Sequence, residues 1–178
     1  MGGLLRCIGY LVILGVSAFL LGRILPPKWF HYDQFPWRLW KLEQGGDIYR
    51  KIRIYKWKEK FLDMSKIFPG ILPSKKLPHH FHKEQVERMI VETCIAECIH
   101  GILCFAGWGC LFLWDGAGGI CTAILYALGN LPYCLIQRYN RPKLVKILEF
   151  LKEKERKEKQ EEIDEKSAYL KLQYRTGT

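Results

Sequence analysis

Residues 92–113 read ETCIAECIHGILCFAGWGCLFL. An apolar run long enough to cross a bilayer thus begins with Glu92, Glu97 and His100. Ionisable groups at that depth are costly, and they normally face protein or water and serve a function. At about 100° per residue, Thr93, Glu97 and His100 fall within roughly 60° of one another, with Glu92 about 80° from His100. One helix face therefore offers a hydroxyl, a carboxylate and an imidazole in successive turns. A carboxylate beside an imidazole is an arrangement for general-base catalysis, the acid orienting the base. The same E-x-x-H spacing serves carboxylate-bridged di-iron bundles, but those need the motif twice and two further carboxylates. Only Glu92, Glu97 and Asp63 are available near the membrane, so no metal is expected.

Two other segments bring polar groups to the same level. QRYNRP supplies Gln137, Arg138, Tyr139, Asn140 and Arg141, and KWKEKFLD supplies Lys56, Trp57, Lys58, Lys60 and Asp63. Arginine, asparagine and tyrosine donors could hold an oxyanion. Plainer readings stand beside this one. Arg138 and Arg141 could be inner-face anchors, Glu97 and Arg138 could neutralise each other, and His100 could bond a backbone carbonyl. The pair Cys94 and Cys98 reads as packing within a helix, and His79, His80 and His82 read as a solvated loop.

The elements that must position these groups follow from hydropathy. Residues 1–25 predict an uncleaved transmembrane helix, stopped by PPKW. Residues 89–137 predict a helical hairpin, with spans 89–113 and 117–137 joined at WDGA and a kink at Pro132. The fold class expected is an all-α integral membrane protein of three spans. All seven cysteines lie inside the three apolar blocks, with no C-x-x-C and no secreted disulfide pattern. Of 28 lysines and arginines, 15 fall in residues 23–90 and 12 in residues 138–178, and the hairpin tip has none. By the positive-inside rule the loop and tail face the cytoplasm of a cell membrane, and the N-terminus and tip face outward. The net charge of +10 is then assigned to anionic headgroups rather than to nucleic acid.

Residues 26–88 read as a basic, aromatic loop lying on the bilayer, with one amphipathic helix over 48–62 after the QGGD break. Residues 138–178 read as a charged helical tail opening at Pro142, with Val145, Leu148 and Leu151 as a short apolar stripe and interleaved Glu and Lys beyond. From Glu97 to Trp114 is about 25 Å of helix. If Trp114 marks the outer interface, Glu97 and His100 lie just inside the inner one, facing the arginine-bearing end of the third span.

ETCIAECIH, QRYNRPKL and YKWKEKFLD together resemble the glycosyl-4,4'-diaponeurosporenoate acyltransferase family, over roughly residues 20–150. The resemblance rests on Glu92, Thr93, Ala96, Glu97, Ile99 and His100; on Gln137 through Pro142; and on Lys56, Trp57, Lys58, Lys60, Leu62 and Asp63. It implies an acyltransferase at the inner leaflet that esterifies a sugar hydroxyl of a glycosylated carotenoid, or of a similar membrane glycolipid, with a fatty acyl chain. The expected substrates are an acyl thioester donor, on coenzyme A or a carrier protein, and a membrane glycolipid, with no cofactor. The expected catalytic set is His100, Glu97, Glu92 and Asp63. His100 would take the hydroxyl proton, and Glu97 or Asp63 would orient the imidazole. The expected substrate-binding set is Arg138, Asn140, Arg141, Tyr139, Gln137, Lys56, Trp57, Lys58 and Thr93. A non-catalytic membrane adaptor or small transport subunit is the alternative, with the polar layer acting as helix–helix glue.

Overall fold

A run of 23 residues with no proline makes the first helix, α1, Gly2–Ile24. At about 35 Å it exceeds the roughly 30 Å of bilayer hydrocarbon, and Pro26 and Pro27 end it. This computed structural model describes residues 2–41, 43, 47–58 and 82–176. Asp63, Lys60, Leu62, His79 and His80 lie outside those residues. Two short helices follow, α2 (Asp47–Lys51) and α3 (Ile54–Trp57), then α4 (Lys83–Ala106) and α5 (Ala117–Thr176). A 3₁₀ turn, Gly107–Phe112, carries α4 to the hairpin tip. The described residues form helices and no strands. Three of the helices are long and apolar enough to cross a membrane, and only 11%, 22% and 17% of their most apolar stretches is buried within the protein. The remaining apolar surface faces outward, as a lipid-embedded protein requires.

The single helix expected over 48–62 is divided. Arg53 takes a left-handed backbone conformation between α2 and α3. The packing explains the break. Tyr49 and Ile54 are five residues apart and would stand about 140° apart on one straight helix. The turn at Arg53 lets both enter one cluster against Tyr139.

The third span and the tail are one helix of 60 residues, running through Pro132 and Pro142. An internal proline removes one backbone hydrogen bond. Past Pro142, continuing the helix packs Leu144 and Leu148 against Val86 and Ile90, with Val145 and Leu151 at the edge. Lys83 pairs with Glu155 at 3.0 Å and Lys152 with Glu87 at 3.6 Å, fastening the next turns to α4. Further on, the helix is exposed and laced with i,i+4 pairs such as Lys166–Glu162.

The three spans meet in two clusters inside the membrane. Cys7, Cys110 and Ala123 are fully buried near the tip, and Ala18, Ile99 and Leu103 pack lower down. The Tyr10 hydroxyl donates to the Ala106 carbonyl at 2.7 Å, where α4 passes into its 3₁₀ turn. Cysteine thiols of Cys7, Cys104 and Cys134 donate weakly to carbonyls of neighbouring helices, so several of the seven act as small packing residues with a polar handle.

The tip closes tightly. Gly116 has φ of 75°, a conformation that glycine adopts without steric cost. A Cβ on Gly119 would lie 2.2 Å from the Trp114 carbonyl oxygen and 2.9 Å from that of Cys110, and neither backbone atom can rotate away. Gly119→Ala should therefore destabilise the protein by about 1–3 kcal/mol, the usual cost of overpacking. Gly129→Ala, where a Cβ meets nothing within 4 Å, should not lower stability. Thermal unfolding of both variants in detergent checks the difference.

Candidate active site

Arg138 and Arg141 are three residues apart on α5, so both face α4, where Thr93 and Glu97 are four apart on one stripe. Arg141 donates from Nε to Thr93 Oγ1 at 2.9 Å, from Nη2 to Thr93 O at 3.2 Å, and from Nη2 to Glu97 Oε2. Arg138 Nη1 donates to the other oxygen, Glu97 Oε1, at 2.6 Å. Glu97 thus bridges two guanidinium groups.

The loop after α1 completes this layer. Glu43 accepts a two-pronged contact from Arg138, Nε to Oε1 at 2.5 Å and Nη2 to Oε2 at 2.8 Å, the geometry for which guanidinium is suited. Three successive carbonyls accept from the same arginines: Pro36 and Arg38 from Arg138 at 3.2 and 3.3 Å, Trp37 from Arg141 at 2.6 Å. Arg138 also lies over the Trp40 ring, 5.0 Å from its centroid. Its five hydrogen bonds match its five N–H groups. Two arginines and two glutamates form a charge-balanced lattice, buried except for half-buried Glu97, which is the condition under which buried charges are tolerated.

Glu43 also accepts from the Trp40 N–H at 2.5 Å and from the Tyr49 hydroxyl. Burial alone pushes its carboxyl up; the hydrogen bonds from Arg138, Tyr49 and Trp40 outweigh that and hold it below the ordinary carboxylate range. Burial, reinforced by the Glu43 carboxylate, pushes the Tyr49 phenol well above its ordinary value, so it remains a neutral donor.

His100 sits one turn further along α4. Its Nδ1 is 2.9 Å from Asn130 Oδ1, and Asn130 Nδ2 donates to the Tyr126 carbonyl at 2.9 Å. The Tyr133 ring stacks on the imidazole, centroids 4.6 Å apart and planes 11° apart. Asn130 is buried and His100 half-buried.

The structure brings Thr93, Glu97, Arg138 and Arg141 into one lattice and places His100 beside it. Glu97 directs its two oxygens to the arginines, and His100 Nδ1 is directed to Asn130. Glu92 is exposed on α4, Gln137 is buried, and Asn140 is half-buried. Tyr139 is buried against Tyr49 and Ile54, and its hydroxyl accepts from Lys143 at 2.6 Å. Lys58 lies 5.3 Å from the same ring. Lys56 is exposed, and half-buried Trp57 donates to the Ile52 carbonyl at 3.1 Å. Sequence reasoning missed Glu43, Tyr49, Asn130, Tyr133 and Lys143. Asn130 carried a usable signal, an amide inside an otherwise apolar span. Glu43 carried none, because its role depends on the loop folding back.

The family model for CrtO, glycosyl-4,4'-diaponeurosporenoate acyltransferase, matches residues 26–150. The chain belongs to this family. The enzyme of that name from Staphylococcus aureus strain Newman is 30% identical over 152 residues, 83% of this chain and 89% of the relative. The enzyme from strain MRSA252 is 30% identical over 150 residues, 82% and 88% of the two chains. No solved structure matches the chain. As a member of the family, the protein is an acyltransferase with transmembrane helices. The matched residues span the lattice, with Glu43, Glu97, Arg138 and Arg141, and the His100–Asn130 pair, and end before most of the charged tail.

Removing one partner from a buried ion pair typically costs about 3–5 kcal/mol, because the other charge is stranded. Glu97→Gln should lower stability on that scale, and Arg138→Lys by less, because lysine keeps the charge but cannot reproduce the fork. Thermal unfolding in detergent measures both. Glu43 adds a pH dependence. Its carboxyl is held below the ordinary 4.5, so its contribution is complete above that pH and is lost as pH falls through the folded value. Fluorescence of Trp37 and Trp40 should report a docked loop at neutral pH that releases below about 4.5. Glu43→Gln should be loosened already at neutral pH.

Proposed function

We propose that the protein transfers a fatty acyl group from a thioester donor to a sugar hydroxyl of a glycosylated membrane lipid. The relatives' name points to a glycosyl-diaponeurosporenoate, a carotenoid glycoside, as the acceptor class. The observation that carries the reading is an imidazole held by hydrogen bonding and ring stacking within an apolar span of an acyltransferase. His100 takes the proton as the acceptor oxygen attacks the thioester carbonyl. The C–O bond forms, the C–S bond breaks through a tetrahedral intermediate, and the proton passes to the departing thiolate, giving ester and free thiol.

Orientation follows the lysines and arginines: the loop and tail on the cytoplasmic side of the cell membrane, the hairpin tip outside. That places the donor, coenzyme A or a carrier protein, on the side where acyl thioesters are made. With Arg138 and Arg141 hydrogen-bonded within the lattice, the donor's phosphates fall to the lysines around Tyr139, Lys58 and Lys143. Thr93 and Glu97 hold the arginines, and Trp29 and Trp57 seat the loop among headgroups.

A general base contributes about 10²–10⁴-fold. His100→Ala should lower turnover by that factor in a detergent assay with labelled acyl thioester and glycolipid, while the protein still inserts and folds. Normal turnover in that variant would remove His100 from the mechanism.

A further inference from the structure

We infer that Asn130 is the positioning residue for His100: it fixes the ring as the Nδ1–H tautomer, so the basic lone pair of the neutral imidazole stands on Nε2. The inference rests on the reading of His100 as the base.

A primary amide presents one accepting and one donating end. The donating end of Asn130 is committed, because Nδ2 lies 2.9 Å from the Tyr126 carbonyl oxygen one turn back on α5. Turning the amide over would set Oδ1 against that carbonyl, two acceptors facing each other. The accepting end therefore faces His100, with Oδ1 2.9 Å from Nδ1. An acceptor at that distance requires Nδ1 to carry the proton. Which ring nitrogen is protonated is set by the hydrogen bond that the other makes.

Tyr133, three residues further along α5, completes the clamp. Its ring stacks on the imidazole nearly parallel and restricts rotation about the ring's own bonds to the helix. The same helix thus fixes the tautomer from the edge and the plane from the face. A neutral amide suits this depth better than a carboxylate. The neighbouring guanidinium groups are hydrogen-bonded to Glu97 and Glu43, so a second acid beside His100 would be a buried charge without a counterion. This assigns to an asparagine the orienting task that acidic residues commonly perform.

The test uses the full chain, ¹⁵N-labelled at histidine, in detergent micelles at a pH where the rings are neutral. The His100 signals are identified by their loss in His100→Ala. Wild type should show Nδ1 protonated and Nε2 bare, and Asn130→Leu should lose that preference. Turnover of Asn130→Leu should fall about 10- to 100-fold, as for other orienting partners, with KM unchanged. Wild-type His100 protonated on Nε2 overturns the inference whatever the variants do. A retained tautomer or unchanged kcat in Asn130→Leu overturns it as well. Normal turnover in His100→Ala with the expected wild-type tautomer overturns the base assignment alone, so the two failures are told apart.

Discussion

The contact on which the rest of the fold depends is a single carboxylate shared by two guanidinium groups. Glu97 on α4 holds Arg138 and Arg141 on α5, and Glu43 on the loop balances the second positive charge. Each of these groups is expensive where hydrocarbon gives way to headgroups. Together they are neutral, and each is hydrogen-bonded. The same bonds fasten three elements far apart in sequence, since the arginines also take the carbonyls of Pro36, Trp37 and Arg38. The aromatic loop is thereby fastened to the hairpin.

That lattice divides the polar residues of the second span into two layers with different work. The lower layer uses its donors and acceptors to hold the protein together. The upper layer is half-buried His100 with Asn130 and Tyr133, held by a hydrogen bond and a ring stack. There the Asn130 amide oxygen faces His100 Nδ1, while the lattice ties α4 to α5. Half-buried Lys58 and exposed Lys143 stand at the Tyr139 ring, separately from the buried arginines, and are the proposed contacts for a phosphate-bearing donor.

Much of this was legible in the sequence. The three spans follow from apolar length, and the confrontation of Glu97 with Arg138 follows from antiparallel packing across a short tip. What the sequence hid depends on distant contacts. Glu43 lies in a segment that reads as a helix break, and only the folded loop shows it meeting Arg138. Arg53 breaks a helix that local pattern favours because Tyr49 and Ile54 must reach one cluster. Pro142 is a reasonable helix start, yet α5 passes through it because Leu144 and Leu148 find Val86 and Ile90. Asn130 was legible, since an amide within an apolar span is itself a signal.

A double-mutant cycle on kcat/KM is the most direct test of this separation. His100→Ala is combined with Glu97→Gln and, in parallel, with Asn130→Leu, each rate normalised to folded enzyme. The account predicts that the Glu97 and His100 effects add to within about 0.5 kcal/mol, whereas Asn130→Leu costs nothing further once His100 is gone. Strong coupling between Glu97 and His100, with Asn130 additive instead, would contradict it.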